Sequence, residues 1–295
     1  PLDLFHSPDF VLPPLMGTPA VLTVHDLSFL RVPHCFVPAF RDYLGKAVPH
    51  SVARARHILA DSDSTRRDLV ELLGVDPARV TVIYPGVEPR FRPVRDPETR
   101  AAVRARYDLP ERFVLGLSTL QPRKNFEGLI AAFGVLLASK AAVPDVHLVI
   151  SGQKGWLYDE ALASAEQAGI ADRVHFLGFA ADDDLPALYS LASAFAFPSW
   201  YEGFGVPVLE AMACGTPVVA ADNSSLPEVV GDAGLMVNAA DVDGLAAALG
   251  RVLVDDELRA RLAADGLARS RQFTWERAVE KLMRVYRQVW KGRTG

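Results

Sequence analysis

The sequence predicts an α/β protein of two domains, and three observations support this prediction. From about residue 106 onward, short β-rich apolar runs alternate with helical patterns, which is typical of βαβ units in a parallel sheet. The same alternation occurs less completely before residue 105. Between the two regions, the stretch from Pro85 to about Glu98 contains four prolines and no apolar period, as expected of a linker. The length of 295 residues also suits two domains of about 150 residues each.

The first domain is predicted to comprise residues 1–98. The stretch from Pro1 to Phe5 has the composition of an interior strand. Further strands are expected at Ala20–Val24, His57–Ala60 and Val80–Tyr84. Ser62 precedes a helical pattern, and a serine there is a favoured N-cap because its hydroxyl can accept a backbone N–H of the first turn.

The second domain is predicted to comprise residues 99–273, followed by a last helix within 274–295. Connections between its strands should be right-handed, so we expect parallel strands whose carboxyl ends share one edge, where ligands of such sheets bind. The last helix, from Thr274 to about Trp290, has apolar residues at helical spacing and must pack on another surface. The six predicted strands are Phe113–Ser118, Val146–Ser151, Val174–Leu177, Ala194–Phe197, Pro217–Ala221 and Leu235–Val237.

Composition and charge exclude several classes of protein. Hydrophobic residues make up 50% of the chain, which excludes a disordered protein. The net charge of −5 creates no strong field for DNA or RNA, so we expect no nucleic-acid partner. Cys214 lies in an apolar run, which predicts a buried thiol and a reducing compartment. No apolar run approaches the ~20 residues of a membrane span and no leader pattern is present, so we expect a cytoplasmic protein.

One region is more basic than the chain as a whole. Residues 31–57 contain five lysines and arginines against the single acidic residue Asp42. The default interpretation is a solvated helix face. The alternative is a peripheral contact with anionic lipid at the inner membrane face.

The segment 199–213 is the main candidate for chemistry, because it follows a strand and begins a helix. Gly203 and Gly205 allow the backbone to approach a ligand closely, and the amides at the helix start favour an anion. Glu202 and Glu210 fall near the same edge of the sheet, where carboxylates suit sugar or ribose hydroxyls. The alternative interpretation is that either glutamate is only a capping residue.

A second candidate lies between the strand ending at Ser118 and the helix that begins at Phe126. Arg123 and Lys124 precede this helix, although cations at a helix N-terminus oppose the macrodipole. A bound diphosphate would supply the compensating charge. The alternative is a pair of ordinary surface cations.

Several motifs occur together with these candidates. Glu202 and Glu210 form E-x7-E within E-G-F-G-V-P-V-L-E-A. The other motifs are P-R-K-N at 122–125, S-G at 151–152, F-L-G-F at 176–179, A-C-G-T-P-V-V at 213–219, S-L-P-E-V-V-G-D-A-G at 225–234, H-S-P-D-F at 6–10, V-H-D at 24–26 and A-D-S-D-S-T-R-R-D at 60–68. Together they resemble the retaining glycosyltransferases of family 4, the group 1 transferases, and most closely the mannosyltransferase-like branch.

The resemblance implies a GT-B fold, in which two Rossmann-like domains face a cleft. The C-terminal domain would bind the donor nucleotide, the N-terminal domain would bind most of the acceptor, and the last helix would cross back to the N-terminal domain. The implied activity is a retaining, metal-independent transfer of a hexose to a saccharide or lipid-linked acceptor, and the favoured hexose is mannose from GDP-mannose. A sugar-nucleotide epimerase of the same fold and a non-catalytic nucleotide-sugar-binding module are the alternatives.

The resemblance also assigns donor-binding roles to individual residues. Lys124 and Arg123 would bind the donor diphosphate, and Glu202 would contact the donor sugar. Phe204–Val206 would offer backbone amides to sugar and phosphate, and Glu210 would hold the ribose hydroxyls. The candidate residues on this side are Arg123, Lys124, Glu202, Gly203, Phe204, Gly205, Val206 and Glu210.

Three further positions follow from the same family. His25, within V-H-D, matches the family histidine close to the transferred sugar, although a lone strand-end histidine is more often structural. The base pocket is expected near Gly152 and Phe179.

The sequence departs from the family pattern in two places. Many members have a Gly-Arg pair where this chain has Ser118 and Thr119, so Arg123 is expected to supply the second diphosphate cation. Family members also begin with a strand and a glycine-bearing loop upstream of the stretch that here begins at Pro1. We therefore expect the N-terminal domain to be truncated.

A run of three aspartates imitates a metal motif. Asp182–Asp184 resembles the D-x-D motif of the other main transferase fold, but it directly precedes Leu185 and a helical pattern. These residues are therefore expected to cap that helix. No cluster of histidine and cysteine has zinc spacing, so we expect no metal and no cofactor other than the donor substrate.

Overall fold

A computed structural model of the chain describes residues 2–15, 17–139, 145–153 and 158–291. The chain divides into two compact units. Unit 1 contains Pro1–Gly86, Tyr201–Phe204 and Phe273–Gly295, and unit 2 contains Val87–Trp200 and Gly205–Gln272. The boundary between Gly86 and Val87 lies within the stretch that the sequence marks as a linker. None of the helices within the described ranges is long and apolar enough to cross a membrane.

The described part of unit 1 contains a sheet of four parallel strands in the order β1-β2-β3-β4. Its strands are β1 (Phe5–Ser7), β2 (Ala20–Val24), β3 (His57–Ala60) and β4 (Val80–Val82), and its first helices are α1 (Ser28–Arg31), α2 (Pro38–Arg54) and α3 (Asp63–Leu73). Every residue of β2 and β3 is buried, as is usual for parallel strands covered on both faces. On one face, Leu44, Val48 and Val52 of α2 pack in a core with Leu22 and Ile58.

The N-terminal strand differs from its prediction. Pairing begins at Phe5, opposite Ala20, and ends at Ser7, so the expected strand from Pro1 to Phe5 was wrong. Leu2 is 59% exposed, which is incompatible with an interior strand position. The predicted start of α3 is confirmed, because the Ser62 hydroxyl accepts the Thr65 backbone N–H at 3.0 Å.

Unit 2 contains a second parallel sheet, with six strands among the described residues, in the order β10-β9-β8-β5-β6-β7. The strands are β5 (Arg112–Leu117), β6 (Val146–Ser151), β7 (Val174–Gly178), β8 (Ala194–Phe197), β9 (Val218–Ala221) and β10 (Gly234–Val237). The helices are α4 (Pro97–Arg106), α5 (Phe126–Ala138), α6 (Tyr158–Gln167), α7 (Leu185–Leu191), α8 (Val206–Ala213), α9 (Leu226–Val230), α10 (Val242–Val254) and α11 (Asp256–Ser270). The prediction of an α/β fold with parallel strands is confirmed.

The strand order of unit 2 has a topological switch point between β5 and β8. From β5 the chain builds outward through β6 and β7, and it then returns to place β8 on the other side of β5. In open α/β sheets, ligands bind outside the carboxyl ends of the strands at such a point. The turns after β5 and β8 are therefore the expected position of a ligand site in this unit.

The last helix, α12 (Trp275–Lys291), belongs to unit 1. Val285 and Val289 pack in one cluster with Val21 of β2 and Leu59 of β3. Alternate residues of these strands point to opposite faces, so α12 covers the face that α2 leaves open.

Candidate active site

The cationic turn lies at the switch point of unit 2. Pro122–Lys124 form a 3-10 turn after β5, and α5 begins two residues beyond Lys124. The Lys124 side chain is buried, with Nζ 5.2 Å from the centre of the Phe197 ring at the end of β8. The Arg123 carbonyl accepts the backbone N–H of Trp200 at 2.9 Å. The two segments that the sequence analysis singled out are thus joined at the position where ligands of such sheets bind.

Asn125 holds this turn in place. Its backbone is left-handed, with φ of 55°, a conformation that asparagine tolerates better than most residues. Its buried side-chain amide donates hydrogen bonds to the carbonyls of Pro198, at 3.0 Å, and Ala239, at 2.9 Å. Asn125 therefore fixes Lys124 relative to the end of β8.

Glu210 lies on α8, five residues after Gly205. Gly205 has φ of 104°, a region open mainly to glycine, and an added Cβ would lie 2.7 Å from the Leu226 side chain. The Glu210 carboxylate accepts a hydrogen bond from the buried Tyr189 hydroxyl at 2.9 Å. Burial raises the pKa of Glu210 to about 7, against the opposing effects of the Tyr189 hydrogen bond and Arg90. This carboxylate therefore exchanges a proton near neutral pH.

Glu202 and its neighbours lie in unit 1 rather than with the rest of the motif. A Cβ added to Gly203 would lie 2.1 Å from the carbonyl oxygen of His25, so the glycine is needed for contact between two backbone segments. The Phe204 ring packs at 5.9 Å from the Tyr84 ring and 5.6 Å from the Phe273 ring. Glu202, between Tyr201 and Gly203, is also buried.

His25 is paired with Asp61, a residue that the sequence analysis did not select. β2 and β3 are in register at Val24 and Ala60, so the residues that follow each strand are neighbours. His25 Nδ1 lies 2.7 Å from Asp61 Oδ2, and His25 Nε2 lies 3.9 Å from Asp9 Oδ1. The hydrogen bond to Asp61 raises the pKa of His25 despite partial burial of the ring. Because the carboxylate accepts from Nδ1, Nε2 is the ring nitrogen that can act on a ligand.

The expected base-pocket residues follow adjacent strands of unit 2. Gly152 follows β6, and its N–H donates to the Gly178 carbonyl at the end of β7, at 2.8 Å. A Cβ on Gly152 would lie 1.7 Å from the Ser118 carbonyl oxygen, so only glycine fits here. Phe179 directly follows Gly178 at the end of β7, and this residue is 61% exposed. The carboxyl ends of β5, β6 and β7 therefore place both residues at the edge that carries Lys124.

The expected capping role of the aspartate run is wrong for Asp184. This residue precedes α7 with helical backbone angles, and its side chain makes no capping hydrogen bond. Its buried carboxylate instead accepts from Arg106 at 2.6 and 2.7 Å and from the Tyr107 hydroxyl at 2.8 Å. A hydrogen bond from a charged guanidinium on α4 is stronger than one from a backbone amide, so the carboxylate turns toward α4. Within the described ranges, no three His, Cys, Asp or Glu residues are grouped so that they could hold a metal ion.

Two family models match the chain. The model described as "Glycosyl transferases group 1" matches residues 100–269, and "Glycosyltransferase Family 4" matches residues 1–91. The chain belongs to the group 1 glycosyltransferases. The matched regions of this glycosyltransferase include all the candidate site residues.

Curated relatives support the same family. The glycosyltransferase is 36% identical over 286 residues to the O-antigen chain mannosyltransferase B of Escherichia coli, covering 96% of this chain and 74% of that protein. It is 37% identical over 284 residues to the D-inositol 3-phosphate glycosyltransferase of Salinispora tropica, covering 92% of this chain and 59% of that protein. This chain therefore spans about three quarters of the length of the first relative and about three fifths of the length of the second.

Solved structures share the fold. Sucrose-phosphate synthase from Thermosynechococcus elongatus superposes with a TM-score of 0.78 at 26% identity, covering 94% of this chain and 69% of that one. HepE of Anabaena, in complex with UDP and glucose, superposes with a TM-score of 0.76 at 24% identity, covering 92% of this chain and 71% of that one. Because this chain also contains two units, each with a parallel sheet, the expected GT-B type of fold is confirmed.

The glycosyltransferase contains three site residues that the sequence analysis missed. Asp61 is hydrogen-bonded to His25, and Tyr189 is hydrogen-bonded to Glu210. Each partner lies far from the other along the sequence, so no local pattern indicated the pair. Asn125 had a signal, since an asparagine between a proline-initiated turn and a helix suits a left-handed backbone.

Proposed function

We propose that this chain is a retaining, metal-independent mannosyltransferase that uses GDP-mannose and a saccharide or lipid-linked acceptor. The observation that carries this proposal is the link between the Lys124 turn and the segment after β8 at the switch point of unit 2. A nucleoside diphosphate leaving group needs positive charge at that edge of the sheet. Lys124 and Arg123 supply it without a metal ion.

The choice of mannose rests on the relatives, and the choice of guanine rests on the resemblance to the mannosyltransferase-like branch of the family. One relative is named an O-antigen chain mannosyltransferase, and another, 36% identical over 260 residues, is named a serotype-specific mannosyltransferase. Retention of configuration rests on the E-x7-E motif formed by Glu202 and Glu210. In this mechanism Glu202 contacts the donor sugar, and His25 Nε2 acts close to the carbon that is transferred.

A nucleotide panel tests the donor site. We expect GDP to raise the melting temperature of the chain with chelator present, and UDP, ADP and dTDP to have little effect. A ligand at 100 times its Kd stabilises a protein by about 2.7 kcal/mol, which a thermal scan detects readily. Stabilisation by UDP alone would contradict the GDP assignment, and conversion of GDP-mannose without an acceptor would instead support an epimerase.

The raised pKa of Glu210 predicts a pH-dependent nucleotide affinity. Ribose hydroxyls donate to an ionised carboxylate, so binding favours loss of the proton and strengthens as pH rises. With a pKa of about 7, the carboxylate is about one tenth ionised at pH 6 and nine tenths at pH 8. We therefore expect GDP to bind about tenfold more tightly at pH 8 than at pH 6 on account of this group.

Calorimetric titration of the Glu210→Gln variant is the matched control for this pH dependence. The terminal phosphate of GDP also titrates near this range, and its contribution remains in the variant. The part assigned to Glu210 is the difference between the two pH profiles. Identical profiles would contradict the ribose-binding role of Glu210.

We also propose that α2 contacts anionic lipid through its outer face, defined as Phe40, Tyr43 and Lys46. These residues follow one another at three-residue spacing, and the two aromatic side chains are 47% and 54% exposed. Exposed aromatic groups beside a lysine suit the interface of an anionic bilayer. Arg41 contributes less charge than the sequence suggested, because it pairs with Asp42 at 3.0 Å.

Vesicle sedimentation tests the α2 outer face. We expect binding to vesicles that contain anionic phospholipid at low salt, and loss of binding at high salt. The double variant Phe40→Ser, Tyr43→Ser should sediment less. Val254→Ser, which changes another exposed apolar residue in unit 2, should sediment like the unaltered chain. Equal sedimentation with neutral vesicles would contradict an electrostatic contact.

A further inference from the structure

The first two turns of α3 hold the segment that carries Glu202. Residues 201–204 are part of unit 1 because their contacts lie there. Three α3 residues, Ser64, Thr65 and Asp68, contact this segment through their side chains, and we name them the α3 anchor residues. They come from the A-D-S-D-S-T-R-R-D motif at 60–68, to which the proposed function assigns no role.

Thr65 contacts the backbone of two segments, the residue after β2 and the segment 201–204. Its buried hydroxyl lies 3.0 Å from the His25 carbonyl oxygen and 3.4 Å from the Gly203 carbonyl oxygen. The Thr65 hydroxyl oxygen also accepts a hydrogen bond from the Ser62 hydroxyl at 3.1 Å. Because Gly203 has no side chain, its backbone lies against the end of β2, within reach of this one hydroxyl.

Asp68 binds the segment at its other end. The carboxylate is buried and accepts a hydrogen bond from the Tyr201 hydroxyl, and the Ser64 side chain is also hydrogen-bonded to Tyr201. Arg31 Nε donates to the same carboxylate at 2.8 Å, which supplies the compensating positive charge. Arg31 also binds the exposed carboxylate of Glu71 at 2.6 Å. Glu202 is therefore the residue between two anchored neighbours, Tyr201 and Gly203.

We propose that the α3 anchor residues are positioning residues for Glu202. They act through Tyr201 and Gly203, and none of them touches substrate in this assignment. The inference rests on the proposed function, because it gives a purpose to the placement of Glu202 only if that carboxylate contacts the donor sugar. Small displacements of such a group can cost about 100-fold in rate, which is why a buried, charge-assisted anchor is useful here.

The central test combines Tyr201→Phe with two readouts. This variant removes only the Tyr201 hydroxyl, which donates a hydrogen bond to Asp68. We expect faster amide hydrogen exchange at residues 202–204 without any substrate present, and about 10-fold to 100-fold lower kcat with an unchanged affinity for GDP. In a Glu202→Ala background, Tyr201→Phe should cause no further loss of kcat, because it acts through Glu202.

Thr65 provides a second test if Tyr201→Phe does not fold. Thr65→Val removes the hydroxyl at nearly constant volume and should reproduce both effects, whereas Thr65→Ser keeps the hydroxyl and should restore both. Glu71→Gln removes the negative charge of the second carboxylate beside Arg31 without changing residues 201–204, and it should change neither readout.

The two proposals fail in different ways. Unchanged hydrogen exchange at residues 202–204 in both Tyr201→Phe and Thr65→Val would overturn the positioning role, whatever the activity. Equal loss of kcat by Tyr201→Phe with and without Glu202 would also overturn it. Faster exchange together with normal turnover in Glu202→Ala would leave the anchor in place and contradict the proposed role of Glu202.

Discussion

Replacement of Glu202 by alanine will lower the turnover of sugar transfer by about 100-fold to 1,000-fold, the usual cost of removing one group that stabilises a transition state. The affinity for GDP should stay close to that of the unaltered chain, because Lys124 and Glu210, which are assigned to the nucleotide, lie in unit 2. The measurement is kcat with GDP-mannose, together with the Kd of GDP by calorimetry.

Glu202→Gln separates charge from shape. The amide fills the same buried space, so a loss of turnover as large as that of Glu202→Ala would show that the negative charge is required. Glu98→Ala, on the exposed first turn of α4, is the control for a general effect of removing a carboxylate. Normal turnover in Glu202→Ala would refute its contact with the donor sugar.

Replacement of Lys124 by alanine will weaken both nucleotide binding and turnover. A hydrogen bond that involves a charged group contributes about 1.5–3 kcal/mol, so the Kd of GDP should rise by about 10-fold to 100-fold. The kcat should fall as well, because the negative charge on the leaving diphosphate grows as the bond to the sugar breaks. Thermal shift with GDP, followed by steady-state kinetics, measures the two effects.

Lys124→Arg tests the shape of this cation. The ammonium of Lys124 is buried beside the Phe197 ring, where a planar guanidinium does not fit in the same way. We expect only partial recovery of GDP affinity in this variant. Lys46→Ala removes an exposed lysine of α2 and should leave GDP affinity unchanged. A Lys124→Ala chain that binds GDP normally would exclude the diphosphate-binding role.

The regular elements were largely predictable because their signals are local. Val146–Ser151 and Ala20–Val24 are strands in the structure with the predicted bounds, since buried parallel strands require continuous runs of apolar side chains. The Ser62 cap was predictable because it concerns one hydroxyl and an amide three residues away. β1 was misplaced, because a short apolar run does not say which of its residues pair with a neighbouring strand.

The sequence selected the candidate site residues but did not predict how they are arranged. The turns around Lys124 and Glu210 were found from glycines, cations and carboxylates that are out of place in ordinary helices and strands. The reason for Gly203 was different from the one expected, because the backbone carbonyl of His25, directly after β2, occupies the space beside it. Asp184 likewise turned toward Arg106 on α4 rather than to its own helix.

The sequence by itself therefore determined the α/β class and the family, and it selected the candidate residues to which a role in the chemistry is assigned. Only the tertiary structure decided that Asp61 is the partner of His25 and that residues 201–204 belong to unit 1. The physical reason is the separation along the sequence over which each kind of interaction acts. Periodicity, capping and glycine placement act within a few residues, whereas strand register and the packing of Tyr201 against Asp68 join residues that are 36 to 133 positions apart.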